Sequence, residues 1–145
     1  MLKTVELHIS SDPLLLSVLR AVMNQVCQLA AFSQREISKI VLAVDEACSN
    51  VMRHAYKGQL GKPIQVTCTI SANTLEIIMV DYGIPLEPQK IKSRDLNELR
   101  PGGLGVYLIK SVMDSVVYSH EDGKNMLVMT KSLPKRKLSE SENTY

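Results

Sequence analysis

Apolar and polar residues alternate along TVELHIS, residues 4–10, which is the period of a half-buried strand. The following SSDP offers a serine or aspartate N-cap, with Pro13 at a first helical position. LLLSVLRAVMNQVCQLA then repeats its apolar residues at helical spacing, and so does SQREISKIVLAVDEACSNVMRHAY. The second of these opens with Ser33 and has Glu36 three residues later, a capping-box pattern. Its apolar residues Ile37, Ile40, Val41, Val44, Ala47, Cys48, Val51, Met52 and Ala55 hold one face, so a helix running through the whole stretch is predicted. Packing that stripe on a sheet turns Glu46 and Asn50 outward.

KGQLGKP reads as a turn, and IQVTCTIS with LEIIMVDYG as two strands of a hairpin reversing near Ala72-Asn73. Residues 84–101 hold three prolines and little periodicity, the pattern of a loop. LGVYLIKSVMDS is a third helical pattern. VVYSHED and KNMLVMTKSL form a second hairpin around Asp122-Gly123. The last stretch, PKRKLSESENTY, is charged and polar and predicts a disordered tail. The division expected is one domain over residues 1–133 and a tail over 134–145. Hairpins plus helices with one apolar face predict an α/β fold, a two-layer sandwich with a mixed, largely antiparallel sheet covered on one face by helices.

Composition narrows the function classes. The 145 residues are 45% hydrophobic and 22% charged, with a net charge of +2. That balance fits a soluble globular domain and gives no electrostatic reason to expect nucleic acid or membrane binding. With no Trp and a single Phe, a stacking platform for single-stranded nucleic acid is not expected. Cys27, Cys48 and Cys68 are widely spaced and read as small buried hydrophobes in a reducing compartment. His8, His54 and His120 are equally dispersed, without zinc-ligand spacing. The N-terminus lacks the apolar run of a signal peptide and no segment is long enough to span a bilayer, so a cytoplasmic location is expected.

Three short stretches carry candidate chemistry. Glu46 and Asn50 lie one helical turn apart, with Arg53 near them. An Asn amide oxygen suits Mg²⁺, which takes few protein ligands beside water and phosphate, and a carboxylate one turn away can accept a proton from an attacking hydroxyl. The same pair also fits an ordinary solvated helix surface. Asp81 ends an apolar strand two residues before Gly83. It is either a turn former or an acceptor for the amino group of a purine. Gly102, Gly103 and Gly105 stand directly before the third helical pattern, either as a plain loop or as a phosphate cradle of backbone N–H groups.

Taken in order, DEACSNVMRHAY, DYGIP and RPGGLGVYLIKSVMD resemble the N box and the two glycine boxes of the GHKL ATPase superfamily. The short chain, the HAY after the asparagine and the GLGVYLIKSVMD wording are most similar to its bacterial anti-sigma factor serine/threonine kinases. The resemblance spans roughly residues 4–133. It implies the GHKL/Bergerat-type ATP-binding fold, with Glu46 as the catalytic glutamate and Asn50 as the magnesium ligand. Asp81 would bind adenine with Gly83 beside it; Gly102, Gly103, Leu104 and Gly105 would hold phosphate, and the loop over 84–101 would be the lid. ATP and Mg²⁺ are the implied cofactors. The implied partners are a sigma factor, held by the kinase, and a small antagonist protein, phosphorylated on serine or threonine; homodimers are the implied working form. A different class stays open beside this one: a nucleotide-gated protein-binding module in which no phosphate moves.

Overall fold

The computed structural model describes residues 2–86 and 101–135, and for 101–105 the backbone alone. Most of the expected lid, residues 87–100, and the tail from 136 onward lie outside the described residues. In chain order the elements are β1 (Lys3–Ser10), a 3₁₀ turn (Pro13–Leu15), α1 (Leu16–Leu29), α2 (Gln34–Asn50), a π-helical turn (Val51–Ala55), β2 (Pro63–Ile70), β3 (Thr74–Asp81), α3 (Pro101–Val112), β4 (Ser115–Glu121) and β5 (Lys124–Ser132).

The five strands form one sheet in the order β1-β2-β3-β5-β4. All four pairings are antiparallel, so the parallel component of the expected mixed sheet is absent among the described strands. The order follows from two hairpins. β2 and β3 pair through the turn at 71–74, and Asp122 and Gly123, both at positive φ (53° and 76°), close β4 onto β5. Two positive-φ residues make a turn whose twist matches that of the strands it joins.

Alternation then decides which side chains face the helices. Ile64, Val66, Cys68 and Ile70 of β2 are buried, as are Leu75, Ile77 and Met79 of β3 and Met129 of β5. The register sets Val66 opposite Met79, Cys68 opposite Ile77, and Ile77 opposite Met129. Against this face α1 brings Leu19, Met23, Val26 and Cys27, and α2 brings Ile37, Ile40, Val44 and Cys48. The predicted half-burial of β1 is only partly realised. Ile9 is its one buried residue, because the strand lies at the sheet edge.

Capping follows the expected chemistry. Ser33 Oγ accepts from Glu36 N at 3.2 Å, and Asp12 Oδ1 accepts from Leu14 N at 2.9 Å. Of the two serines in SSDP, Ser11 serves the turn instead. Its buried hydroxyl donates to Gln59 O at 2.6 Å and accepts from Lys62 N at 2.8 Å. The three cysteines are free and buried. Burial pushes the thiols of Cys27 and Cys48 up to about 12 and that of Cys68 to about 11, far from the thiolate form that reacts. Among the described residues no helix is long and apolar enough to cross a membrane.

At the far end of the sheet, Asp114 Oδ2 accepts from Ser132 N at 2.7 Å. That backbone N–H, with smaller help from the Ser132 hydroxyl and Lys131, holds the Asp114 carboxyl below its ordinary value. A depressed folded-state pKa adds stability above the unfolded pKa, and that stability is lost as pH falls through the folded one. Asp114→Asn should therefore lower Tm slightly at neutral pH, with parent and variant converging in acid. Thermal melts across pH check this; parallel curves would remove the charge from the account.

Candidate functional site

Helix α2 stops being α-helical at Asn50. The next five residues, Val51–Ala55, wind as a π turn, a feature that often marks functional positions. The predicted uninterrupted helix is corrected here. The side-chain period continues through the turn, so periodicity does not reveal the change in backbone hydrogen bonding. Burial is corrected too. Asn50 is not turned outward but only 2% exposed. Helix α3 packs on α2, and its Val106 and Ile109 line the same cavity as Asn50.

Between α2, α3 and the β3–β5–β4 side of the sheet lies a cavity of about 240 Å³. Ala47, Val51, Val106, Ile109, Val116 and Leu127 make most of its wall apolar, while Asn50 and Asp81 place polar side chains in it. The structure thus brings together two of the residues singled out from sequence, 31 positions apart in the chain.

Asp81 is 3% exposed and ends β3. Its Oδ1 accepts from Gly83 N at 2.9 Å and from Asn125 Nδ2 at 2.7 Å. Gly83 is fixed by space rather than by its own conformation, for its φ is not among the positive ones. A Cβ there would come within 2.6 Å of the Ala55 carbonyl carbon and 2.8 Å of Ala55 Cβ. Ile84 N donates to Ala55 O at 2.9 Å, so the π turn and the end of β3 are bound backbone to backbone. Tyr56 tightens the same junction: its hydroxyl donates to Pro63 O at 2.6 Å and accepts from Tyr82 N at 2.9 Å. Burial pushes the Tyr56 phenol above its ordinary value, against the lowering effect of the Tyr82 N–H.

Glu46 lies one turn before Asn50 and does not line the cavity. Its Oε2 is buried and makes no hydrogen bond; Arg53 Nη2 stands 3.8 Å away, within ion-pair range but beyond hydrogen bonding. The same Arg53 Nη2 donates to Asn50 Oδ1 at 3.3 Å. One guanidinium nitrogen thus lies within reach of two hard oxygens, an amide oxygen of Asn50 and a carboxylate oxygen of Glu46. Among the described residues no group of three or more His, Cys, Asp or Glu gathers as a metal cage. A divalent ion here would lean on one or two protein oxygens plus water and phosphate, the habit of Mg²⁺.

The glycine stretch takes another form than the predicted loop ahead of a helix. α3 is already helical at Pro101, so Gly102, Gly103, Leu104 and Gly105 lie inside its N-terminal turn as described. The same helix supplies Val106 and Ile109 to the cavity wall. Its other end is short of the predicted one, at Val112.

Three residues of the site carry no motif: Asn125, His120 and Tyr118. Asn125 is 1% exposed and contacts Asp81 directly. Tyr118 lines the cavity and its hydroxyl accepts from Leu86 N at 2.8 Å, fixing the chain where the described part ends. The Asp-Gly turn does set His120 opposite Asn125 in the hairpin, which is readable from sequence. Pairing Asn125 with Asp81 needs the order of strands in the sheet, which is not.

The histidine kinase-like ATPase domain family matches residues 9–131. Serine-protein kinase RsbW of Bacillus thuringiensis (strain Al Hakam) and that of Bacillus cereus (strain 03BB102) are each 29% identical to this chain, covering 96% of it and 91% of the relative. The crystal structure of the SiaB-SiaC complex from Pseudomonas aeruginosa shares the fold, with a TM-score of 0.55 at 12% identity over 87% of this chain and 89% of that one. Since the family match runs through α1, α2, α3 and all the strands that wall the cavity, the chain belongs to the histidine kinase-like ATPase domain family.

Proposed function

We propose that this chain is an anti-sigma regulatory factor and an ATP-dependent serine/threonine protein kinase. It binds a sigma factor and phosphorylates a small antagonist protein, working as a homodimer as its family resemblance implies. One observation carries the nucleotide half of this reading. Asn50 and Asp81, both nearly fully buried, line one largely apolar cavity, and Glu46 holds a buried oxygen without a hydrogen bond one turn from Asn50. The protein half is supported by the RsbW relatives, which carry the name serine-protein kinase.

In this reading adenine enters the cavity and gives its exocyclic amine to Asp81. The glycine-bearing turn at Gly102, Gly103, Leu104 and Gly105 meets the phosphates with backbone N–H groups that a helix start leaves without partners. Asn50 Oδ1 is the protein ligand for Mg²⁺, which supplies charge neutralisation on the phosphates when bound. The acceptor hydroxyl attacks the γ-phosphorus and passes its proton to Glu46. The bond to the β–γ bridging oxygen breaks, and ADP leaves with that electron pair. Little more is required of the protein than positioning and electrostatics.

Titration calorimetry with ATP, with and without Mg²⁺, tests this. The parent should bind with the metal and far more weakly without it, and Asn50→Ala should erase the difference. Undetectable heats for the parent under both conditions overturn the nucleotide reading. Binding that ignores the metal removes Asn50 as its ligand.

A further inference from the structure

Asn125 is the most enclosed polar side chain near the cavity, at 1% exposed, and the scheme above gives it no task. Its three polar contacts have one solution. Nδ2 donates to Asp81 Oδ1 at 2.7 Å and to Gly83 O at 3.0 Å, and both partners are acceptors only. A flipped amide would set its oxygen against those two acceptors, so Nδ2 faces them. Asn125 Oδ1 then faces His120 Nδ1 at 2.6 Å. An amide oxygen only accepts, so His120 carries its proton on Nδ1.

The consequence falls on Asp81. Its Oδ1 receives Gly83 N and Asn125 Nδ2, which fills the two lone-pair directions of that oxygen. Both of these bonds fall on Oδ1, and neither Gly83 N nor Asn125 Nδ2 engages Oδ2. The carboxylate is therefore held through Oδ1, which fixes the direction in which Oδ2 points. An available carboxylate oxygen welcomes an N–H and repels a carbonyl, and a buried site built around such a contact rejects ligands that cannot supply it.

We propose that Asn125, held from the solvent side by His120, is the positioning residue for the base-reading carboxylate. It saturates Asp81 Oδ1 and leaves Oδ2 to select a purine with an exocyclic 6-amine over one with a 6-oxo group. This rests on the reading of the cavity as a purine-nucleotide site.

Two measurements test it. The first compares ATP and GTP binding by calorimetry in the parent, Asn125→Asp and His120→Ala. The parent should prefer ATP. Asn125→Asp keeps the shape and replaces both donors with a second acceptor. It should weaken ATP binding by ~10–100-fold, the effect of an unmatched buried polar contact, and shrink the ATP-to-GTP ratio. His120→Ala removes only the outer hydrogen bond and should shrink that ratio by ~2–10-fold. The second needs no ligand. Nitrogen-15 NMR of the free parent, above the ordinary histidine pKa of ~6.5, should show His120 as the Nδ1–H tautomer. A His120 in the Nε2–H tautomer overturns the proposal. So does an ATP-to-GTP ratio that both variants leave unchanged. A parent that binds ATP while either of those results holds loses only this inference; a parent that binds neither nucleotide loses the purine site and this inference together.

Discussion

Glu46→Gln should bind ATP nearly as well as the parent and transfer phosphate roughly 10²–10⁴-fold more slowly, the usual worth of a positioned general base. The carboxylate is not part of the cavity wall, so the base and sugar have no reason to register its loss. It is one turn from Asn50, with Oε2 buried and unbonded. Such an oxygen keeps its accepting capacity for a group that arrives later. Gln keeps the volume and one accepting oxygen but cannot take a proton at neutral pH, which separates chemistry from packing. The companion effect on stability should be small. The 3.8 Å pair with Arg53 joins side chains 27% and 40% exposed, and pairs of that kind contribute ~0–1 kcal/mol. Single-turnover transfer to the antagonist, beside calorimetry on the same sample, gives both numbers. An unchanged transfer rate would reduce Glu46 to a partner of Arg53. A parent that binds ATP and moves no phosphate would favour a nucleotide-gated binding module.

Glu46 and Asn50 also show what a linear pattern can reveal. Their spacing on one helix was legible, because 3.6 residues per turn leaves no freedom in it. Their burial was not. An apolar stripe tells which side of α2 meets the sheet, but the cavity that Asn50 lines is walled also by Val106 and Ile109 of α3, more than 50 residues later. The same limit explains the π turn, whose side chains keep an apolar, buried pattern at Val51, Met52 and Ala55. Strands and hairpins were legible wherever alternation or an Asp-Gly turn marked them. Edge position was not marked, and β1 is accordingly far more exposed than its alternation implies.

The candidate site divides along the same line. Asp81 and Gly83 stand in a recognisable short stretch, and the structure gives them a physical reason that the stretch itself does not state. Gly83 is there because the Ala55 carbonyl occupies the room a side chain would need. Asn125 has no motif at all, yet its amide reaches the same carboxylate oxygen as Gly83 N. Side chains that act across strands are set by register, and register joins residues that sequence keeps 44 positions apart.

Gly83→Ala should be the most damaging single methyl group in the site. Its neighbours are the Ala55 carbonyl and Cβ, which cannot swing aside as the end of a long side chain can. Relief requires the end of β3 to move away from the π turn, and that motion breaks the bond from Ile84 N to Ala55 O. It also pulls Gly83 N from Asp81 Oδ1 and Gly83 O from Asn125. Overpacking of this kind costs about 1–3 kcal/mol, read as a fall of several degrees in Tm for a domain of this size. ATP affinity should fall by ~10-fold or more, since a lost hydrogen bond to a charged group is worth about 1.5–3 kcal/mol. Gly58→Ala and Gly61→Ala are the controls. Both positions have open space and positive φ, 77° and 79°, so an added methyl strains the backbone there by about 1–2 kcal/mol without touching Asp81. Those two variants should lose stability and keep ATP affinity. If Gly83→Ala behaves as they do, the contact with Ala55 serves the fold alone. If all three lose nucleotide together, affinity simply follows stability, and Gly83 has no separate hold on Asp81.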